Sequence, residues 1–208
     1  FVWQSDYTLW SDTAIKSPES DMVLYNLGLA LQNRGGPEDL DKALKLYEKT
    51  IRLNPDKEVA YYNSAIIYQK RKDYTKALKH YMASLWLAPL QPSTYHNIAL
   101  IYHAQGRLSM AIDFYKQALK LDQKNKFSAY NNEASHYSLA IAYEDSGNFE
   151  MAMAQYREVL KLNPRNAEVH YSMGVIYEQM GRPEDALKEF QKTLAIDPDY
   201  GPAALKMR

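Results

Sequence analysis

Apolar and small residues recur along this chain at steps of three and four, grouped in blocks. Tyr61, Ala65 and Tyr68 form one block; Tyr95, Ile98, Ala99 and Tyr102 form another. Such steps place side chains on one face of a helix. A break follows each block, and then a second block in which alanine precedes an aromatic by four residues: Ala43/Tyr47, Ala77/Tyr81, Ala111/Tyr115, Ala152/Tyr156 and Ala186/Phe190. Those pairs also share a face. The break carries Gly35, Gly106, Gly147 and Gly181, and Lys72 holds that place in the second unit, so its turn is the odd one. Glycine just past a helix end takes the left-handed conformation without steric cost. The pattern predicts helix pairs joined by tight turns.

The blocks keep a fixed period. Tyr68 and Tyr102 are 34 residues apart, as are Tyr143 and Tyr177, Pro55 and Pro89, and Pro164 and Pro198. A period of 34 with small and aromatic residues at set offsets marks a helix–turn–helix array. Gly28, Ala65, Ala99, Ala140 and Gly174 recur at one position, where a small residue lets the partner helix approach closely. Proline closes most units because it cannot continue a helix.

These residues resemble the tetratricopeptide-repeat pattern over nearly the whole chain. Asn26-Leu27-Gly28 with Ala43, Tyr47 and Pro55, and Met173-Gly174 with Tyr177, Ala186, Phe190 and Pro198, carry the resemblance. Five full units fit, at about 21–57, 58–91, 92–125, 133–166 and 167–200. A half unit or cap at 1–20 precedes them, with Trp10 eight residues before Pro18 as Tyr47 is before Pro55. The resemblance implies an all-α, right-handed superhelical solenoid with a concave groove lined by the first helix of each pair.

Two insertions depart from the period. The first unit has three extra residues around Gly35-Gly36-Pro37-Glu38-Asp39, read as a tolerated loop whose Pro37, Glu38 and Asp39 suit a helix start. Seven extra residues, 126–132, precede the fourth unit. Seven residues are close to two helical turns, so this piece either lengthens the next helix, with Phe127 and Tyr130 on its stripe, or forms a loop. At the C-terminus, 201–208 begins another first helix.

Tyr25, Tyr62, Tyr137 and Tyr171 share one offset, with His96 in the same register. In the resembled family that offset faces the groove, and a ring bearing a hydroxyl suits both apolar side chains and backbone. Beside it stands a ladder of Asn26, Asn63 and Asn97, continued as Ser138 and Ser172. An amide offers a donor and an acceptor, so it pairs with a peptide backbone whatever the side chains. The three asparagines are similar to the asparagine ladder in the repeats of O-linked N-acetylglucosamine transferase. The other reading is that they bridge neighbouring helices. Tyr25, Tyr62 and His96 stand where the carboxylate clamp of chaperone-binding repeats places basic residues, which argues against capture of an acidic tail.

Composition narrows the chemistry. Lys+Arg and Asp+Glu are both 25, so no bulk charge draws in nucleic acid. The short basic run Lys70-Arg71-Lys72 falls at a turn. With no cysteine, disulfide and thiolate chemistry are excluded. No phosphate loop, dinucleotide fingerprint or His-Glu-x-x-His is present. His96 and His103 are separated by about 10 Å of helical rise, too far to chelate one ion. His96, His136 and His170 occupy similar repeat positions and read as surface or groove residues. No catalytic residue, cofactor or metal is assigned.

The longest stretch without Asp, Glu, Lys or Arg, His80 to Gly106, contains Pro89 and Pro92 and reads as two helices and a turn. This fragment itself spans no membrane. The segment Phe1-Val-Trp3 through Leu9-Trp10-Ser-Asp12 to Pro18 resembles the junction of polytopic membrane glycosyltransferase-like proteins with a soluble repeat tail. That resemblance implies a membrane-bound parent and a periplasmic or otherwise extracytoplasmic location; a cytoplasmic one is the alternative. A plain aromatic cap is the other reading of the segment. The function expected is a non-catalytic module binding a protein or peptide segment in the groove. The alternatives are an acceptor-presenting domain of such an enzyme and a scaffold self-associating through its open C-terminal end.

Overall fold

The computed structural model describes residues 6–124 and 132–206. Among them lie twelve helices and no strand: α1 (Asp6–Lys16), α2 (Asp21–Arg34), α3 (Pro37–Leu53), α4 (Glu58–Lys70), α5 (Tyr74–Leu87), α6 (Pro92–Ala104), α7 (Leu108–Lys124), α8 (Asn132–Asp145), α9 (Phe149–Leu162), α10 (Ala167–Gln179), α11 (Pro183–Ile196) and α12 (Gly201–Lys206). The expected all-α architecture of helix pairs is what forms. Two compact units divide the chain, Phe1–Thr94 and Tyr95–Arg208, and the boundary falls inside α6.

The helices α2, α5 and α10 begin at a side-chain cap. Ser20, Asp73 and Asn166 accept from the backbone N–H of Val23, Lys76 and Val169, satisfying donors that have no intrahelical partner. Pro37 and Pro183 occupy the first turn of α3 and α11, where the missing N–H costs nothing.

The turns within four of the pairs share one geometry. Gly106, Gly147 and Gly181 have φ of 71°, 73° and 70°, and Lys72 joins them at 60°. In each turn the next residue's N–H reaches back to a tyrosine carbonyl: Asp73 to Tyr68, Arg107 to Tyr102, Asn148 to Tyr143 and Arg182 to Tyr177, at 2.8–3.0 Å. The left-handed residue itself donates to Gln69, His103, Glu144 or Glu178. This is the double closure of a Schellman turn. Lysine is thus forced into glycine's conformation. The first pair closes differently: Gly35 (φ 76°) donates to the Leu31 carbonyl, and Gly36 leads into Pro37. The three-residue insertion changes the closure.

In the first unit α1 packs on α2, α2 on α3, α3 on α4 and α4 on α5. Ala43, Tyr47, Ala60 and Ile67 are fully buried there. Gly28 sits under the Tyr47 ring, and a Cβ at Gly28 would lie 2.7 Å from it. Aliphatic and aromatic burial of this kind supplies about 1.5–3 kcal/mol per large side chain. α1 buries no residue fully, but Tyr7 packs on this core beneath the Arg34 guanidinium, 4.4 Å from its ring centroid.

In the second unit α7 packs on α8, α8 on α9, α9 on α10, α10 on α11 and α11 on α12. Gly174 faces Phe190, where an added Cβ would stand 2.5 Å from the ring. The short α12 closes this core with the buried Ala203, against Ala186 and Phe190, and leaves Leu205 exposed. α8 starts at Asn132, whose amide donates to Asp122 on α7 at 2.6 Å. Phe127, Tyr130 and the question of a lengthened helix there lie outside the described residues, as do Phe1, Val2 and Trp3.

Candidate peptide-binding face

All ten residues singled out from the sequence fall on first helices: Tyr25 and Asn26 on α2, Tyr62 and Asn63 on α4, His96 and Asn97 on α6, Tyr137 and Ser138 on α8, Tyr171 and Ser172 on α10. Nine are half-buried; Asn63 is buried. The aromatic of each pair rests on the second-helix aromatic of the same pair. Ring centroids are 5.9 Å apart for Tyr25–Tyr47, 5.8 Å for Tyr62–Tyr81, 5.4 Å for His96–Tyr115, 6.0 Å for Tyr137–Tyr156 and 5.7 Å for Tyr171–Phe190. Tilted or edge contacts at such distances add to the gain from burial. They also fix the ring, so that one edge packs and the other stays at the surface.

The amide of Asn63 is already engaged. Its Nδ2 donates to the Tyr25 hydroxyl at 3.1 Å, tying α4 to α2. The register therefore holds a bridging asparagine in the first unit, with Lys57 above the same Tyr25 ring at 5.7 Å.

His96 lies one position later in its unit than His136 and His170, and the structure separates their roles. His96 Nδ1 is 2.8 Å from Ser135 Oγ, and burial pushes its pKa down to about 4. At neutral pH the ring is uncharged and offers no cation to an acidic tail. His136 pairs with Gln155 at 2.8 Å, between helices. His170 is only 8% exposed and donates to Glu189 at 2.7 Å, which also accepts from Lys192. The expectation that His170 is a surface or groove residue fails: its position faces the second helix, where a carboxylate awaits it.

α8 and α10 carry Glu133, Glu144, Asp145, Glu168 and Glu178 but no Lys or Arg. The second helices α9 and α11 mix the two signs, Arg157, Lys161, Lys188 and Lys192 with Glu150, Glu158, Glu184, Asp185 and Glu189. Glu133 accepts from Asn163 and Asn166 at 3.0 and 3.3 Å, which holds its carboxylate in place. Burial raises Glu144's pKa while the Tyr156 hydroxyl donates to it at 2.8 Å. Glu133, Ala134, Tyr137, Asn166 and Glu168 line a hollow of about 200 Å³. Burial, and then Glu168, push the Tyr137 hydroxyl's pKa well up, so it stays protonated as a donor.

Sequence reading missed the acceptors of the buried tyrosines. Tyr47, Tyr81 and Tyr156 donate to Gln32, Gln69 and Glu144 at 2.9, 2.7 and 2.8 Å. The signal was present: in the second and fourth pairs the acceptor lies 12 residues before the ring. In the third pair His103 stands there and turns to Asp145 at 2.7 Å instead. The Tyr115 hydroxyl is then buried without a hydrogen bond among the described residues, and Ser138 faces it outside bonding geometry. No set of three His, Cys, Asp or Glu residues among the described ones is arranged to hold a metal. No described helix is long and apolar enough to cross a membrane.

Family models described as tetratricopeptide repeat match residues 22–57, 56–124 and 167–200, and one described as TPR repeat matches 142–181. No curated protein matches the chain in sequence. Among solved structures the chain is similar to YrrB, described as a TPR protein with an unusual peptide-binding site, at TM-score 0.77 and 19% identity over 94% of this chain and 96% of that one. It is similar to MamA at TM-score 0.74 and 20% identity, covering 85% and 97%. The APC/C hetero-tetramer Cut9–Hcn1 matches at TM-score 0.71 and 19% identity over 97% of this chain, which spans 38% of that one. Identities this low show a shared fold.

Proposed function

The chain belongs to the tetratricopeptide-repeat family, and on that premise we propose that it is a non-catalytic protein-binding module that takes a partner's segment along its first helices. One observation carries the reading. In all five pairs the same position presents an aromatic ring seated on a second-helix aromatic, half-buried and with an edge left at the surface. A ring already held loses little freedom on binding, so its contact area converts into affinity with little entropic opposition.

In the first unit the binding residues are Tyr25, Asn26 and Tyr62, with Asn63 as the brace that orients the Tyr25 hydroxyl. In the second they are His96, Asn97, Tyr137, Ser138, Tyr171 and Ser172. The amides and hydroxyls meet the partner's backbone, and the rings meet its side chains. The Lys- and Arg-free surface of α8 and α10 around Glu133 and Glu168 favours a segment that brings lysine or arginine to the second unit.

Peptide-display selection tests this, with Tyr137→Ala/Tyr171→Ala alongside the native chain. Native protein is expected to enrich a motif containing basic residues, and the double variant to bind it about tenfold more weakly with helicity kept. Equal affinity of both proteins for every enriched peptide would sink the reading.

A further inference from the structure

The outer face of α5 departs from the other second helices. Its buried side is Ala77, Tyr81 and Ser84. At 100° per residue, Lys79, Met82 and Trp86 lie on the opposite side. On α5, Trp86 is 82% and Met82 41% exposed; Leu90, in the turn beyond the helix end at Leu87, is 72% exposed. The repeat position of Met82 holds Glu48, Lys116, Arg157 and Gln191 in the other pairs, and that of Trp86 holds Arg52, Lys120, Lys161 and Ala195. Trp86 thus stands in water at a position that is Lys or Arg in three of the other four pairs.

Charge and area indicate what covers it. α5 contains no Asp or Glu; after Asp73 the next carboxylate in the chain is Asp113. Lys76 is held by Asp73, while Lys79 extends from the apolar side itself. At the positions of Lys79, Met82 and Trp86 one pair earlier, α3 carries the exposed Lys45, Glu48 and Arg52. In α1 the position of Trp86 belongs to Ile15, which is 79% exposed. That face of α3 also carries the exposed Glu38 and Asp41, so the excess of cation over carboxylate belongs to α5 itself. Three side chains of at most about 200 Å² each, partly covered, present roughly 400 Å². That is half of the ~800 Å² per partner of a stable protein interface. A projecting Trp beside Lys79, with no carboxylate on its helix, matches the boundary layer of a bilayer, where indole rings concentrate and anionic headgroups attract lysine.

We infer that the outer face of α5 docks on an anionic lipid surface, with Trp86, Met82 and the following Leu90 entering the headgroup–acyl boundary and Lys79 meeting the headgroups. The contact is weak and reversible, as expected of a patch this small.

The test is flotation of the 208-residue chain with vesicles of equal phosphatidylglycerol and phosphatidylcholine, and with phosphatidylcholine alone. The native chain is expected to float with the anionic vesicles and to shift its tryptophan emission to the blue, a shift absent in Trp86→Phe. Trp86→Glu, at an exposed site and so with native circular dichroism, should cut the bound fraction about tenfold. Lys79→Glu should weaken binding to anionic vesicles alone. Failure of the native chain to float, or equal flotation of Trp86→Glu, overturns the inference. So does a blue shift that grows with protein concentration without lipid, since a second copy would then cover Trp86.

Discussion

The first helix pair, α2/α3, and the last complete one, α10/α11, are built on the same register and filled differently. Both place a glycine beneath a fully buried aromatic, Gly28 under Tyr47 and Gly174 under Phe190. At the next contact they diverge. Leu24 and Leu46 stand in the first pair where His170 and Glu189 stand in the last. The middle pairs put Tyr61 near His80, Tyr95 near Phe114 and His136 against Gln155 at the same two positions. The register thus fixes which positions meet, while the chemistry of meeting is free to drift from apolar to hydrogen-bonded, provided both partners change together.

The sharpest way to break that comparison is to remove one partner. Glu189→Ala leaves a buried imidazole facing a void and is expected to cost about 3 kcal/mol. His170→Leu/Glu189→Leu, which copies the first pair, should recover most of the loss. Urea unfolding of the two variants checks this, and a double variant no more stable than the single one would mean the positions are not equivalent.

His96 extends the comparison to pH. Its pKa falls from 6.5 to about 4 on burial, so the unfolded chain takes up the proton first. Its contribution is full above about pH 6.5 and is lost as pH falls toward 4, by up to about 3 kcal/mol. Stability measured at pH 7 and pH 4.5 should fall less for His96→Phe than for the native chain; identical slopes would refute the assignment.

Next come the glycines. Gly28→Ala and Gly174→Ala should each cost about 1–2 kcal/mol, because overpacking beneath a buried ring outweighs the better helix propensity. Ala65 holds the same place in the second pair, and Ala65→Gly should there cost only the propensity difference, about 1 kcal/mol. Thermal melts of the three variants settle whether the rings in the end pairs have closed over their glycines.

The smallest effect concerns the turn after α4. Lys72→Gly should stabilise by about 1 kcal/mol, since lysine pays a steric cost at φ 60° that Gly106, Gly147 and Gly181 do not. No gain in the urea midpoint would show that the Lys72 side chain compensates through contacts of its own.

The fold class was legible because it rests on local rules. The alanine–aromatic spacing named the buried face of each second helix, and Gly106, Gly147 and Gly181 named the turns. Even Lys72 could be placed, because the period says where the left-handed residue must stand. Pairings across long stretches of chain were not legible. Asn63 finds Tyr25 across 38 residues, and His170 finds Glu189 across 19; nothing local to either residue announces the partner. Exposure was legible only through the period. Trp86 passes unnoticed by composition, although the repeat register places it where Arg52, Lys120 and Lys161 stand.

The turns have a consequence for how such a chain comes to exist. Four of them are latched by main-chain bonds to a tyrosine carbonyl, and a latch made of backbone asks little of the side chains around it. Duplicating a stretch of 34 codons would carry a working joint to its new location, and later drift in charge or aromatic content would leave that joint intact. A gene built this way can lengthen by copying first and specialise afterward.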